Sequence, residues 1–159
     1  MTHDSKTDTP LGRLYDSVGK LDEEGSLITG IPHSGEIGMR MHFADDGQAI
    51  LSVPWSEKLI GDPESGILHG GVVTVLLDTA CGGAVMSVNE KLLTTATLDL
   101  RIDYMRPARV GHTLYCRAQC YRTTRSIAFT RAVAFHDDPD DPVATASGAF
   151  IIDRPRETA

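Results

Sequence analysis

The fold turns on one stretch, His69-Gly70-Gly71-Val72-Val73-Thr74-Val75-Leu76-Leu77-Asp78-Thr79-Ala80-Cys81-Gly82-Gly83-Ala84-Val85-Met86-Ser87-Val88-Asn89. From Gly70 to Asn89 the only charged residue is Asp78, and the length would suffice to cross a bilayer. Against that reading stand four glycines and a mid-segment carboxylate, which costs about 2.5–3.5 kcal/mol at a bilayer centre. Basic and aromatic flanking anchors are also missing. The stretch therefore reads as a helix inside a globular domain. A helix that is apolar nearly all round must be covered on most sides.

The cover comes from the segments around it. Downstream, Leu98, Leu100, Ile102 and Tyr104 alternate with Thr97, Asp99, Arg101 and Asp103. In the same way Leu114, Cys116, Ala118 and Cys120 alternate with Tyr115, Arg117, Gln119 and Tyr121. Ile127, Phe129, Val133 and Phe135 mark a third strand, and residues 143–152 a fourth. Turn residues separate these runs at Arg106-Pro107, Thr123-Thr124 and Asp137–Pro142. A period of two with short connections predicts antiparallel pairing. Upstream, residues 37–43 and 48–53 read as two more strands joined by the turn Asp45-Asp46-Gly47. Loop chemistry fills 25–35 and 61–66. Leu11, Leu14, Tyr15, Val18 and Leu21 recur at helical spacing after Thr9-Pro10, a cap and first-turn pair. Residues 1–9 read as a disordered tail, and 10–159 as a single domain. The predicted class is α+β: a curved antiparallel sheet of about six strands wrapped around one long helix.

Composition narrows the function. The 159 residues, 41% hydrophobic and 23% charged, fit one soluble domain with a sizeable core. A net charge of -7 argues against nucleic acid as partner. The total hides seven arginines against one acid between Arg101 and Arg131, a local +6. Such a segment is either a solvated face or an attractor for a small polyanion. Cys81, Cys116 and Cys120 are odd in number and follow a polar N-terminus with no signal-peptide character. Free thiols, a cytoplasmic location and no membrane association are the expectation.

Two features carry chemistry. A glycine pair at a helix start admits close approach of a ligand and leaves backbone N–H groups at the positive end of the helix dipole. Gly70 and Gly71 can therefore hold an oxyanion, or they can be an ordinary glycine-rich helix entry. A carboxylate within an apolar helix costs several kcal/mol unless paired or reached by solvent. Desolvation would raise the pKa of Asp78 and suit it to a general base; pairing with an arginine would make it structural. His69, at the helix entry, reads as an orienting or capping residue rather than the base. Cys116 and Cys120 share a strand face and read as core thiols. The remaining histidines lack ligand spacing, so neither metal nor cofactor is expected. Serine-nucleophile, dinucleotide and P-loop signatures are missing.

Together, Gly66-Ile67-Leu68-His69-Gly70-Gly71, Asp78 nine positions after His69, and Thr97-Leu98-Asp99-Leu100-Arg101-Ile102-Asp103-Tyr104-Met105-Arg106-Pro107-Ala108 resemble the PaaI-like branch of the hotdog-fold acyl-CoA thioesterases. The resemblance covers roughly residues 30–152. It implies a hotdog fold and hydrolysis of an aryl- or short/medium-chain acyl-CoA to the free acid and coenzyme A. By it, Gly70 N–H polarises the thioester carbonyl and Asp78 is nucleophile or base. Thr97 matches a small hydroxyl residue that positions water. The site is implied to lie between subunits, Asp78 facing His69-Gly70 of a second copy, in a homodimer or homotetramer. Gly71, Asp62 and the arginines Arg101, Arg106 and Arg125 are the substrate-binding candidates. One position departs: relatives often carry asparagine six residues before the histidine, where this chain has Pro63 after Asp62. Proline donates no hydrogen bond, and Asp62 substitutes only as an acceptor. A non-catalytic acyl-CoA-binding protein is the alternative that this departure favours. A hotdog hydratase or dehydratase is a third, opposed by the want of a second His–Asp pair.

Overall fold

The computed structural model describes residues 22–88 and 94–153. The tail at 1–9 and the helix read at 11–21 lie outside the described residues. In chain order the elements are β1 (Ser26–Leu27), α1 (Pro32–Glu36), β2 (Arg40–Asp45), β3 (Gln48–Val53) and a 3-10 turn at Glu57–Leu59. There follow α2 (Gly70–Ser87), β4 (Thr94–Tyr104), β5 (Leu114–Thr123), β6 (Ile127–Phe135) and β7 (Ala144–Asp153). The strands form one sheet in the order β1-β2-β3-β5-β6-β7-β4, every pairing antiparallel, with α2 packed on one face. This is the hotdog architecture, six strands and the long helix as read from the sequence, with two-residue β1 added at one edge.

The sheet packs onto the helix through an inner face that mixes large side chains such as Leu51, Leu114 and Phe150 with many small ones. Ala49, Cys116, Ala118, Ala128, Ala132, Ala134, Ala144 and Ala146 are all buried against α2. The helix answers with Val72, Val73, Leu76, Leu77, Ala80, Cys81, Ala84 and Val85. Gly148 belongs to the same design: a Cβ there would lie 3.0 Å from both Phe150 and Thr130 Oγ1. The Asp46-Gly47 hairpin has φ of 45° and 74°, as a two-residue primed turn requires.

Three local readings change. The first hairpin strand begins at Arg40 rather than 37, since Gly38 adopts φ +72° and breaks the extended backbone. The loop read at 25–35 contains β1 and α1, both too short to show periodicity, the helix with proline in its first turn. The third change matters for function. The plain alternation read over 97–104 is interrupted: Thr97 pairs with Phe150 and Asp99 with Ala149, leaving Leu98 as an extra residue in a β-bulge. Leu100 and Ile102 still pack on the core. Thr97, expected to point with Asp99 and Arg101, turns toward the helix instead.

Candidate active site

The entry to α2 is assembled by the loop that precedes it. His69 N–H donates to Leu59 O at 2.9 Å, Gly61 N–H to Ile67 O at 2.8 Å, and Ile60 bridges Leu68. Trp55 Nε1 closes the loop onto Gly66 O at 2.9 Å. Gly61 is required here: a Cβ on it would sit 2.8 Å from His69 Cα. His69 is the N-cap, its Nδ1 accepting from Gly71 N–H at 2.9 Å. Gly71 makes room for that ring, since its Cβ would meet Nδ1 at 2.8 Å. One donor is thereby consumed and the next is left: no acceptor meets Gly70 N–H among the described residues. A Cβ on Gly70 would reach only Tyr104, at 3.8 Å, an ordinary contact. Nothing among the described residues demands glycine at 70, which fits a position approached from outside.

Two residues to which no role was assigned from the sequence complete this turn. Tyr104 OH donates to Gly70 O at 3.0 Å and lies 2.7 Å from Thr74 Oγ1, itself 3.2 Å from Gly70 O. Thr74 stands one helical turn after Gly70, so its place on the same face was legible. The Tyr104 contact crosses 34 residues of chain and had no local signal.

Further along that face, Asp78 Oδ1 accepts from Thr97 Oγ1 at 2.7 Å. The bulge at Leu98 makes this possible, because Thr97 and Tyr104 are seven apart and an unbroken strand would aim them to opposite faces. No other hydrogen bond or ion pair to the Asp78 carboxylate occurs among the described residues, so it is not the arginine-paired structural acid. The burial expected for it is not found within one chain: Asp78 is half-exposed. The reason is that the described residues cover α2 on one side only. Gly71, Val75, Asp78, Thr79, Gly82 and Met86 form a stripe with partial or full exposure.

The other candidates go elsewhere. Asp62 turns into its own loop, accepting from Ser65 Oγ at 2.5 Å, Glu64 N–H at 3.2 Å and Ser65 N–H at 3.2 Å. The Ser65 hydroxyl, then these two amides, hold its carboxyl below the usual range. Pro63 is exposed within that turn. Arg101 extends from the outward sheet face onto Asp103 at 3.1 Å. Arg106 bonds Asp141 through Oδ2 at 3.2 Å and the backbone carbonyl at 2.6 Å, and Arg109 pairs with Asp137. Arg125 is exposed in the β5–β6 turn. The local +6 is thus partly neutralised and spread, with Arg117 and Arg131 lining a shallow groove on the outer sheet face. Cys81 and Cys116 are buried and Cys120 partly so, burial raising the Cys81 thiol to about 11. Such thiols are packing groups rather than nucleophiles. No cluster able to hold a metal exists among the described residues.

The geometry sets one limit. Gly70 and Asp78 share a helix eight residues apart, about 12 Å along the axis at 1.5 Å per residue. One subunit cannot bring both to bear on a single carbonyl.

Comparisons with known proteins bear on this arrangement. Residues 65–143 match the family model of the thioesterase superfamily. A protein of Halobacterium salinarum named provisionally as an esterase is 42% identical over 76 residues, 46% of this chain and 50% of that protein. This chain therefore matches about half of that relative's length. The medium/long-chain acyl-CoA thioesterase YigI of Escherichia coli is 27% identical over 135 residues, 77% of this chain and 86% of that enzyme. A crystal structure from Pseudomonas aeruginosa shares 42% identity, covering 79% of this chain and 93% of the other, with a TM-score of 0.71. The PaaI protein of the Escherichia coli phenylacetic acid degradation operon superposes with a TM-score of 0.68 at 21% identity over 76% of this chain and 83% of that one.

Proposed function

This chain belongs to the thioesterase superfamily, a family of thioester hydrolases, and we propose that it hydrolyses an acyl-CoA, releasing a free acid and coenzyme A. The observation that carries the reading is the pair of features on one face of α2. An uncommitted N–H at Gly70 begins the helix, and a half-exposed carboxylate at Asp78 meets the Thr97 hydroxyl two turns later. The thioester oxygen accepts from Gly70 N–H, at the positive end of the helix dipole, where charge develops as the carbonyl is attacked. Asp78 removes a proton from the attacking water or attacks directly. The Thr97 hydroxyl holds one carboxylate oxygen, leaving the other free for that step. The tetrahedral intermediate then collapses and expels the coenzyme A thiolate, which takes up the proton Asp78 removed from water; on direct attack the acyl group is left on Asp78 as an anhydride, which water hydrolyses to the free acid. The name of the 27%-identical YigI supports acyl-CoA as substrate.

The separation of about 12 Å between Gly70 and Asp78 supports a site in which the two come from different copies. The open stripe on α2 and the long edge strand β4, paired only with β7 among the described residues, are the surfaces a second copy would cover. A homodimer is then the smallest active unit.

The test is coenzyme A release from a panel of aliphatic and aryl acyl-CoAs, wild type beside Asp78→Asn. The variant keeps size, fold and substrate binding and loses at least a hundredfold in kcat, the order of a lost general base or more. Pro63, in a turn where it donates nothing, favours a second reading as a non-catalytic acyl-CoA binder. Binding without turnover by the wild type would establish that reading instead.

A further inference from the structure

On the side of α2 away from β4 lies a cleft of about 480 Å³. Ile37, Leu59 and Val72 are its buried floor, and Ile60 and Val75 its half-exposed walls. His69 and Gly71, the chain neighbours of Gly70, are both among its lining residues, which places the cleft beside the start of α2. Lys58 and His33 stand at the rim, and Lys58 ties it together, its ammonium donating to Glu36 O at 2.6 Å and Glu36 Oε1 at 3.1 Å. That bond joins the C-terminal end of α1 to the 3-10 turn across the cleft.

We propose that this cleft holds the acyl chain of the substrate and selects aliphatic chains over aryl groups. The inference rests on the thioesterase reading and deepens it. A thioester whose carbonyl oxygen meets Gly70 N–H has its acyl carbon beside His69 and Gly71, and the chain continues into the space these residues line. The walls and floor are all branched aliphatic side chains. They provide apolar area for methylenes, but no phenylalanine, tyrosine or tryptophan face for a ring. No buried polar group waits at the floor for a ring hydroxyl. The volume falls within the range of small-ligand pockets.

The experiment is kcat/KM for the full chain on straight acyl-CoAs from acetyl to myristoyl, with benzoyl- and phenylacetyl-CoA alongside. Each methylene buried contributes about fourfold until the cleft is full, then nothing. Val75→Phe, which fills the cleft from the helix side, lowers the ratio of long-chain to short-chain kcat/KM by about tenfold or more. Ile60→Ala, on the facing wall, moves the plateau to longer chains and keeps the test open if the phenylalanine variant fails to fold. Turnover with a flat chain-length profile, a preference for the aryl substrates, or profiles unmoved by both variants would overturn the cleft assignment and leave the thioesterase intact. Lack of turnover on every acyl-CoA would overturn the thioesterase reading itself, and the cleft assignment with it.

Discussion

The peptide joining Gly70 to Gly71 is held at both ends, its carbonyl by Tyr104 and Thr74 and its N–H by the His69 ring. The preceding peptide, which carries the Gly70 N–H, is held as well, since its carbonyl, His69 O, accepts from Val72 N–H at 2.9 Å; with both planes held the donor is preorganised for an oxyanion. Tyr104 is then a positioning residue, and its hydroxyl should be felt in the chemical step. Tyr104→Phe lowers kcat by about three- to tenfold, the worth of one net hydrogen bond. KM and the melting temperature stay close to wild type, since the ring is 53% exposed and stays in place. An equal loss in KM, or no change in kcat, would show the contact to be incidental. At this scale the sequence pointed to Gly70, Gly71 and Asp78 because each is unusual in its local context, a glycine pair at a helix start and a lone charge in an apolar run. Tyr104 and Gly61 are ordinary in theirs. Their roles come from contacts made across the chain, with Gly70 for the one and the His69 backbone for the other.

Helix α2 and strand β4 show where periodicity informs and where it fails. The helix was legible from its length and apolarity, and its buried face carries the core. Leu76 is fully buried, and Leu76→Ala should cost about 2–5 kcal/mol in urea melts, a cavity that tight packing cannot absorb. A loss below about 1 kcal/mol would mean the sheet collapses onto the gap. What composition could not say is which side of so uniformly apolar a helix is left open. No face stands out when valine, alanine and glycine occupy all of them. In β4 the period-2 reading placed Thr97 on the wrong face, because a bulge adds one residue without changing composition. The signal lies in the pairing with β7, where Leu98 has no partner.

For the whole molecule, the site is proposed to be shared between two copies, and that has a direct consequence. Gly70→Pro removes the N–H while suiting the first helical position, where proline's fixed φ is preorganised. The preceding His69, at φ -61° and ψ 135°, already has the extended backbone that proline requires of its neighbour. Gly70→Pro and Asp78→Asn should each be inactive alone. Mixed and allowed to exchange subunits, they should recover about a quarter of wild-type activity, since half the dimers are mixed and each restores one of two sites. No recovery after verified exchange would overturn the shared site. By itself the sequence determined the α+β class, the long core helix, the strand order along the chain and the two chemical groups on α2, because each is written in local pattern: periodicity, turn residues, a glycine pair, an isolated charge. Tertiary structure alone decided that Thr97 faces Asp78, that Tyr104 clamps the helix entry, and that Asp62 and the arginines are spent elsewhere. Those outcomes depend on strand register, on a single unpaired residue in a bulge, and on which side of the helix the sheet leaves uncovered, none of which is a property of neighbours in the chain.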